Sequence, residues 1–210
     1  MRLSAGFALA VVALLAAPAS AEVTQPRVAN LDGDPELEQV VPQQVGQYGQ
    51  RQIVISDTCN GAPYSRTVSS QQDAVVSLVV SNFEDITPRP EIFFDMRSGA
   101  GARYGEIRIV SWVDGKTPGS CPEPRALFGY PSKRTLGRVP HGAVARSSFA
   151  AALRNTSKRY AGKELRLYEY YVDRNDPLCC ASFKRTTDFG YSAGRDLYVK
   201  FRTRVKRIRK

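Results

Sequence analysis

An acidic turn runs directly into an apolar strand in the stretch Asn30-Leu31-Asp32-Gly33-Asp34-Pro35-Glu36-Leu37-Glu38-Gln39-Val40-Val41. Oxygen-bearing side chains occupy alternate residues at Asn30, Asp32 and Asp34, and Glu38 follows a few residues later. Ca²⁺ is a hard cation that takes about six to eight oxygen ligands, which such a closely spaced set can supply. Without an ion, these carboxylates would repel one another in a short turn. The stretch therefore predicts a calcium loop at the start of a β-strand.

This stretch resembles the loop of the integrin-type FG-GAP (VCBS) repeat, which runs D-x-D/N-x-D-G-x-x-D/E into an apolar strand. The resemblance implies a metal-binding set made of the side chains of Asn30, Asp32, Asp34 and Glu38 and the backbone carbonyl of Glu36. The sequence departs from the family pattern at Asn30, where Asp is usual, and at Pro35, where Gly is usual. Both departures lower the expected affinity for the ion. The alternative interpretation is a solvated acidic turn between two strands.

A second, weaker copy of the pattern follows at Asn82 to Phe94. It repeats the acidic turn, a Pro-Glu pair and an apolar strand, and Glu91 lies 53 residues after Glu38. Such a distance is expected of repeat architectures. Phe83 and Thr87 stand where the oxygen donors of the loop would lie, so no bound ion is predicted there. Two copies are too few to close a propeller, which needs four or more blades.

The first 21 residues have the composition of a secretory signal peptide. Arg2 supplies the positive charge, Ala5 to Ala17 form an apolar core, and Ala19-Ser20-Ala21 provides a cleavage site. The chain is therefore expected to be secreted or otherwise extracytoplasmic after cleavage. No cysteine lies at the cleavage site, where Glu22 follows Ala21, so no lipid anchor is predicted. No later stretch is apolar enough to predict a transmembrane segment.

Charge is distributed unevenly along the rest of the chain. Residues 22–130 carry 9 Lys+Arg against 14 Asp+Glu, whereas residues 131–210 carry 20 against 6. This asymmetry predicts an acidic β-rich domain over 22–130, which contains both FG-GAP-like loops, and a basic α+β segment over 131–210. The basic segment is expected to pack on the acidic domain or to follow it.

Short runs rich in Val, Ile and Phe, separated by turn-forming residues, predict β-strands. These runs are Gln52 to Asp57, Ala74 to Ser81, Glu91 to Met96, Glu106 to Val113, Leu165 to Val172, Phe183 to Thr187 and Leu197 to Ile208. In the fifth run, alternation places Tyr168 and Tyr170 on one face, where tyrosines serve either packing or ligand binding.

One short helix is predicted near 147–155. Ser147 is a candidate N-cap, the residues after it are strong helix formers, and Asn155 can end the helix. Phe149 and Leu153, four residues apart, would share one helix face and pack on a sheet. The predicted fold is therefore α+β and mainly β, with antiparallel sheets, one helix and too few repeats for a closed propeller.

The final run has the clearest period of two in the chain. Leu197, Val199, Phe201, Thr203 and Val205 are predicted to face the core, whereas the opposite face carries Tyr198, Lys200, Arg202, Arg204 and Lys206. Together with Arg207, Arg209 and Lys210, this row of cations is a candidate site for a polyanion such as nucleic acid, an acidic glycan or an anionic envelope surface. The alternative is a solvated strand whose charges discourage edge pairing.

Four cysteines, Cys59, Cys121, Cys179 and Cys180, allow three disulfide connectivities in an oxidising compartment. Neighbouring Cα atoms lie about 3.8 Å apart, less than the about 4.4–6.8 Å usual for a bridge, so a bond between Cys179 and Cys180 would be strained. The open alternatives are a Cys59–Cys121 bridge with a vicinal pair, which we favour, and two bridges that join Cys179 and Cys180 to the other cysteines.

The segment Asp176-Pro177-Leu178-Cys179-Cys180-Ala181-Ser182 is similar to the D-P-L-C-C-P-S segment of actinobacterial LppP/LprE-type envelope proteins. This resemblance covers a few residues, and it implies an envelope location but no particular chemistry.

Catalytic patterns are sparse. His141 is the one histidine, which excludes any mechanism that needs two imidazoles, and the cysteines lack the paired spacing of a zinc site. The remaining candidates for catalysis are Glu91, Asp95 and Glu106, should they converge. The sequence thus predicts a secreted, calcium-stabilised binding or cell-envelope protein without catalytic activity, whose partner is an anionic envelope polymer or another secreted protein. The alternatives are a polyanion-binding protein and a carboxylate-dependent hydrolase acting on glycan or nucleic acid.

Overall fold

The computed structural model describes residues 22–84, 87–99, 104–115, 117, 119–132, 139–155, 161–174 and 181–208. Within these ranges the chain forms twelve β-strands and no helix, and the strands assemble into three four-stranded antiparallel sheets. Sheet 1 contains β1 (Arg27–Ala29), β2 (Glu38–Val45), β3 (Gln50–Cys59) and β4 (Ala62–Thr67). Sheet 2 contains β5 (Ala74–Ser81), β6 (Glu91–Ser98), β7 (Tyr104–Val113) and β8 (Glu123–Tyr130). Sheet 3 contains β9 (Ala143–Asn155), β10 (Ala161–Asp173), β11 (Phe183–Ser192) and β12 (Leu197–Arg207).

Each sheet is a meander in which every strand pairs with its neighbour in sequence. Four-stranded meanders of this kind are the blades of β-propellers, which typically need at least four of them to close. The described residues form three such meanders, and none of these sheets closes on itself. The mainly β, antiparallel part of the prediction is confirmed, and the two loops recognised in the sequence lead into the second strands of sheets 1 and 2.

Sheet 2 lies between the other two sheets. On its strand β6, Ile92, Phe94 and Met96 join the apolar cluster shared with sheet 1. Phe93, on the opposite face, joins the cluster shared with sheet 3, which includes Phe149. Because both faces are covered, β6 is buried over nearly its whole length. Each such apolar side chain contributes roughly 1.5–3 kcal/mol to folding when it is fully buried.

The contact between sheets 2 and 3 also contains a buried polar network centred on Glu169, which is 0% exposed. Its Oε1 accepts hydrogen bonds from the hydroxyls of Tyr130 at 2.9 Å and Tyr171 at 3.1 Å, and Arg185 donates to Oε2. Arg146 donates to the hydroxyl of Tyr130. A buried carboxylate with this many donors is compensated for its lost hydration, so the network is structural.

The predicted helix near 147–155 is wrong, because these residues belong to strand β9. They pair with β10 from Lys163↔Asn155 to Asp173↔Ala143. Phe149 is buried in the core, and Ala151 and Leu153 pack against the same cluster, which is the alternation of a strand. A separation of four residues satisfies a period of two as well as a helical period, so Phe149 and Leu153 could not distinguish the two. Pairing across the sheet overrides the helical preference of the alanines, because intrinsic propensity is small compared with tertiary packing.

The disulfide joins Cys59, at the end of β3, to Cys121, just before β8. It links sheet 1 to sheet 2 and is flanked by hydrogen bonds from Tyr64 to the carbonyl of Pro122 (2.8 Å) and from Asn60 to the carbonyl of Gly119 (3.2 Å). This decides one of the alternative pairings left open by the sequence. Cys179 and Cys180, and with them the predicted vicinal bond, lie outside the described residues.

Removal of the disulfide should destabilise the protein. The bridge spans 62 residues, and cross-links of this kind typically contribute about 2–4 kcal/mol by restricting the unfolded chain. We therefore expect Cys59→Ala with Cys121→Ala to lower the free energy of unfolding by about that amount, measured by urea denaturation. Each single substitution should cost nearly as much as the double one, because either removes the bridge. If the losses of unfolding free energy in the two single variants add up to the loss in the double variant, this interpretation is contradicted.

Candidate metal centre

The first loop, Asn30 to Glu38, is shaped by its own side chains. Gly33 donates its N–H to Oδ1 of Asn30 at 2.6 Å, and Asp34 donates its N–H to Oδ1 of Asp32 at 3.0 Å. Glu36 likewise donates to Oδ1 of Asp34 at 2.7 Å. Asn and Asp stabilise tight turns in this way, by accepting N–H groups a few residues further along. Gly33 has a φ of +91°, a conformation that favours glycine.

The loop ends at Glu38, the first residue of β2, whose side chain is 0% exposed. Its Oε2 accepts the N–H of Leu31 across the loop, and Leu31 is itself buried in the core with Val40. No described residue donates a hydrogen bond to the buried Oε1 of Glu38. A buried carboxylate oxygen without a donor is costly unless another group compensates it.

Three carboxylates converge at this point, from Asp32, Glu38 and Asp57. One oxygen from each lies within 4.8 Å of the other two. Asp57 belongs to β3, the strand paired with β2, and its Oδ2 accepts the indole N–H of Trp112 at 3.2 Å. Two strands and one loop therefore direct negative charge to a single place between sheets 1 and 2.

Electrostatics in this cluster disfavour three simultaneous negative charges. Burial, with repulsion from Asp32, Asp57 and Asp34, raises the pKa of Glu38 to about 7. Burial also raises the pKa of Asp32, although its hydrogen bond from Asp34 acts in the opposite direction. A bound cation would remove this repulsion and favour the charged carboxylates. Oxygen donors of this kind, including a buried oxygen without a partner, fit a hard cation such as Ca²⁺.

The cluster overlaps the predicted ligand set only in part. Asp32 and Glu38 belong to it, whereas Asp34 and Glu36 do not. The side chain of Asn30 is turned into the loop, where its Nδ2 donates to the carbonyl of Asp34. Asp57 was missed because it lies on another strand. The available sequence signal was its position at the end of the predicted strand Gln52 to Asp57.

The second loop has the same hydrogen-bond frame. Phe83 donates its N–H to Oε2 of Glu91 at 2.5 Å, as Leu31 does to Glu38, and Asn82 donates to the carbonyl of Thr87 as Asn30 does to that of Asp34. Glu84 accepts a hydrogen bond from the hydroxyl of Thr87 at 2.7 Å. No cluster of three carboxylates forms here among the described residues, and Asp85 lies outside them.

The carboxylates considered for catalysis do not form one site. Asp95 is buried on the side of sheet 3 and pairs with Arg97. Glu106 lies opposite Met96, on the side of sheet 1, where it accepts the N–H of Ser70 at 2.6 Å. Glu91 is engaged in the second loop, and His141 is exposed in a turn.

The four cations predicted for polyanion binding divide between two faces. Strand β12 is an edge of sheet 3, and a register shift opposite Asp188 and Phe189 interrupts its alternation. Lys200 is consequently paired with Phe189, whose ring packs towards sheet 2, whereas Arg202 is paired with Asp188. The same shift turns Tyr198 into the core, opposite to its predicted position. Arg202, Arg204 and Lys206 thus share the outer face, and Lys200 does not.

The chain matches no family model, no curated protein and no solved structure. Among the described residues we find no helical segment with the length and hydropathy needed to cross a lipid bilayer. Functional inference therefore rests on the chemistry of the sites themselves.

The buried carboxyl of Glu91 predicts a specific dependence of stability on pH. Burial, together with repulsion from Glu84, raises its pKa from 4.5 to about 7. The folded protein then binds more protons than the unfolded chain between these values, so stability is highest below about pH 4.5 and falls as pH rises towards 7. One such carboxyl changes the free energy of unfolding by at most about 1.4 kcal/mol per pH unit.

Glu91→Gln should remove this contribution, because a neutral amide takes the place of the protonated carboxyl. Urea unfolding in EDTA at several values between pH 4.5 and 7.5 would show a shallower fall for the variant than for the wild type. Glu123→Gln, at an exposed position on β8, is the matched control and should retain the wild-type slope. Equal slopes for wild type and Glu91→Gln would contradict the assignment.

Proposed function

We propose that the chain is an exported, calcium-stabilised β-sheet protein whose role is binding rather than catalysis. The observation that carries the proposal is the convergence of Asp32, Glu38 and Asp57 around a buried Glu38 oxygen that has no hydrogen-bond donor among the described residues. Three carboxylates from a loop and two strands constitute an oxygen-only donor set, which suits Ca²⁺ better than softer metals.

The remaining ligands would come from the other oxygens of the loop, at Asn30, Asp34 and Glu36, and from water. This set combines the residues of the FG-GAP-like pattern with Asp57, which the pattern does not include. The resemblance between the loop and that family is thus part of the proposal, and the carboxylate geometry supports it independently of the sequence motif.

The ion would act on stability. Leu31 is held in the core by the loop, and the loop connects β1 to β2, so neutralising the carboxylates favours the folded arrangement of sheet 1. An ion that binds only the folded state adds about 2.7 kcal/mol when its concentration is 100 times its dissociation constant. Extracellular calcium would thereby raise the free energy of unfolding of this protein.

A binding role is favoured over hydrolysis because the candidate catalytic carboxylates have structural partners, and Glu106 lies on the opposite face of sheet 2 from Asp95. Export is supported by the signal-peptide pattern of the first 21 residues and agrees with the Cys59–Cys121 disulfide. The partner would be an anionic envelope polymer or another secreted protein.

Calcium should raise the melting temperature of the wild-type protein after removal of metal with EDTA, and Asp32→Asn and Asp57→Asn should each abolish the rise. Both substitutions keep the shape of the side chain but remove a ligand charge, and Asn at position 57 retains an acceptor for the Trp112 indole. Isothermal calorimetry with CaCl₂ provides the direct measurement of binding.

Two further substitutions complete the test. Asp34→Ala should reduce the calcium response less than the two cluster variants, because Asp34 lies outside the converging group. The control is Asp73→Asn, which removes an exposed carboxylate just before β5 and should leave the response unchanged. A full calcium response in both Asp32→Asn and Asp57→Asn would exclude this cluster as the site.

A further inference from the structure

Sheet 3 has one face covered by sheet 2 and one face turned outward. Register places Arg202, Arg204 and Lys206 of β12 on the outward face, opposite Asp188, Thr186 and Lys184 of β11. Arg166 of β10 lies on the same face, paired with Asp188. We name this surface the cationic face and define it by five of its basic residues, Arg166, Lys184, Arg202, Arg204 and Lys206. Arg154 of β9 lies on the same face, paired with Glu164.

We propose that the cationic face binds a linear acidic polysaccharide through its carboxylate or sulfate groups. The inference rests on the proposed export of the chain for the identity of the polymer, since acidic polysaccharides are among the polyanions that an exported protein meets. It does not depend on the metal centre, which lies between sheets 1 and 2.

The face has an excess of positive charge that its own carboxylates do not balance. The carboxylates that register places on it, Asp188 and Glu164, are 3% and 8% exposed. Asp188 is engaged by Arg166 through both oxygens, at 2.5 and 2.9 Å, and Arg204 approaches it at 3.7 Å. The basic side chains of β12 are exposed. An approaching anion therefore meets cations and no exposed carboxylate on the described part of this face.

Two lysines of the face stand directly opposite each other. Lys184 on β11 is paired in register with Lys206 on β12, and neither forms an ion pair with a described residue. Like charges directly opposite one another on neighbouring strands are destabilising, by an amount of the order of 0.2–1 kcal/mol. The ammonium of Lys184 lies over the ring of Tyr168, and a bound anion would add a partner of opposite charge for both lysines.

The spacing of the cations suits an extended chain of anionic groups. Alternate residues of a strand lie roughly 6.5–7 Å apart, and neighbouring strands lie about 4.8 Å apart. The row along the edge of the sheet consists of Arg202, Arg204 and Lys206. Lys184 lies beside Lys206 on the neighbouring strand, at one end of this row. The planar guanidinium groups can bind carboxylate or sulfate oxygens in pairs.

Other occupants fit this face less well. A second copy of the chain would bring either the same positive face or the outward face of sheet 1, where Gln39 and Gln43 supply no charge. Binding of single-stranded nucleic acid uses aromatic rings on which bases stack. Here the ammonium of Lys184 lies 4.3 Å from the ring centroid of Tyr168 and 5.5 Å from that of Tyr170, so the tyrosines already have a cationic partner.

Heparin, a linear polymer with carboxylate and sulfate groups, is the probe that tests the proposal. Lys206→Gln should weaken heparin binding at least about threefold at 0.1 M NaCl, whereas Lys200→Gln should change it by less than about 1.5-fold. The two substitutions remove the same charge from the same strand, and they differ in the face on which the lysine lies. Equal losses for the two variants would overturn the proposal.

A triple variant, Arg202→Gln with Arg204→Gln and Lys206→Gln, should lower the slope of log K against log salt concentration by about two to three. The control, Arg27→Gln with Arg66→Gln and Arg195→Gln, removes as much charge from exposed positions outside the face. Equal salt slopes for the two triple variants would show that net charge alone determines binding, which would overturn the assignment. Should the triple variant melt below the assay temperature, Lys184→Gln replaces it, with at least about threefold weaker binding expected.

An oligothymidine of 20 nucleotides, measured at the same salt concentration, separates the two classes of polymer. Weaker binding than that of heparin is expected, and tighter binding would replace the polysaccharide with nucleic acid. Each titration is made with calcium and with EDTA. If calcium does not stabilise the wild-type protein but Lys206→Gln still weakens heparin binding more than Lys200→Gln does, the metal centre is excluded and the cationic face is supported.

Discussion

The burial of β6 on both faces is the constraint on which the rest of the structure depends. Antiparallel sheets commonly expose one face to water, but the alternate residues Phe93 and Phe94 are both buried, one on each side of sheet 2. Such a strand is stable only if a sheet covers each side. Sheets 1 and 3 provide this cover, and the Cys59–Cys121 bridge and the Glu169 network tie them to sheet 2. The outward faces of sheets 1 and 3 form the two ends of the stack. No described sheet covers them, and they carry polar side chains.

The loops that lead into β2 and β6 solve one local problem in the same way. In each, a buried glutamate at the start of the strand accepts the N–H of a buried apolar residue, which fixes the loop over the sheet contact. This arrangement buries a carboxyl group at the edge of an apolar core, where its charge is expensive. In the first loop Asp32 and Asp57 add further charge, and a cation would resolve the conflict. In the second loop burial raises the pKa of Glu91 to about 7, as it does for Glu38, but no second and third carboxylate join it among the described residues.

Sheet 3 ends the stack, and its outward face must be polar for structural reasons before any ligand is considered. In the first two sheets the corresponding face packs against the next sheet, as with Val40 and Phe93. In sheet 3 no described element covers it, and charged residues take the place of apolar ones. Terminal units of stacked repeats need such a polar face for solubility. The exposed cations of β12 meet no exposed carboxylate among the described residues of this face, and this imbalance is the reason for assigning a ligand.

By itself, the sequence determined the β-rich class, eight of the strands and the turn that precedes β2, because alternating polarity and turn residues act over short distances. The same local information could not separate helix from strand at Phe149 and Leu153, since four residues satisfy both periods. Tertiary structure alone decided that Cys59 pairs with Cys121, that Asp57 joins Asp32 and Glu38, and that Lys200 leaves the row of Arg202. These outcomes depend on strand register and sheet packing, which bring together residues distant in sequence.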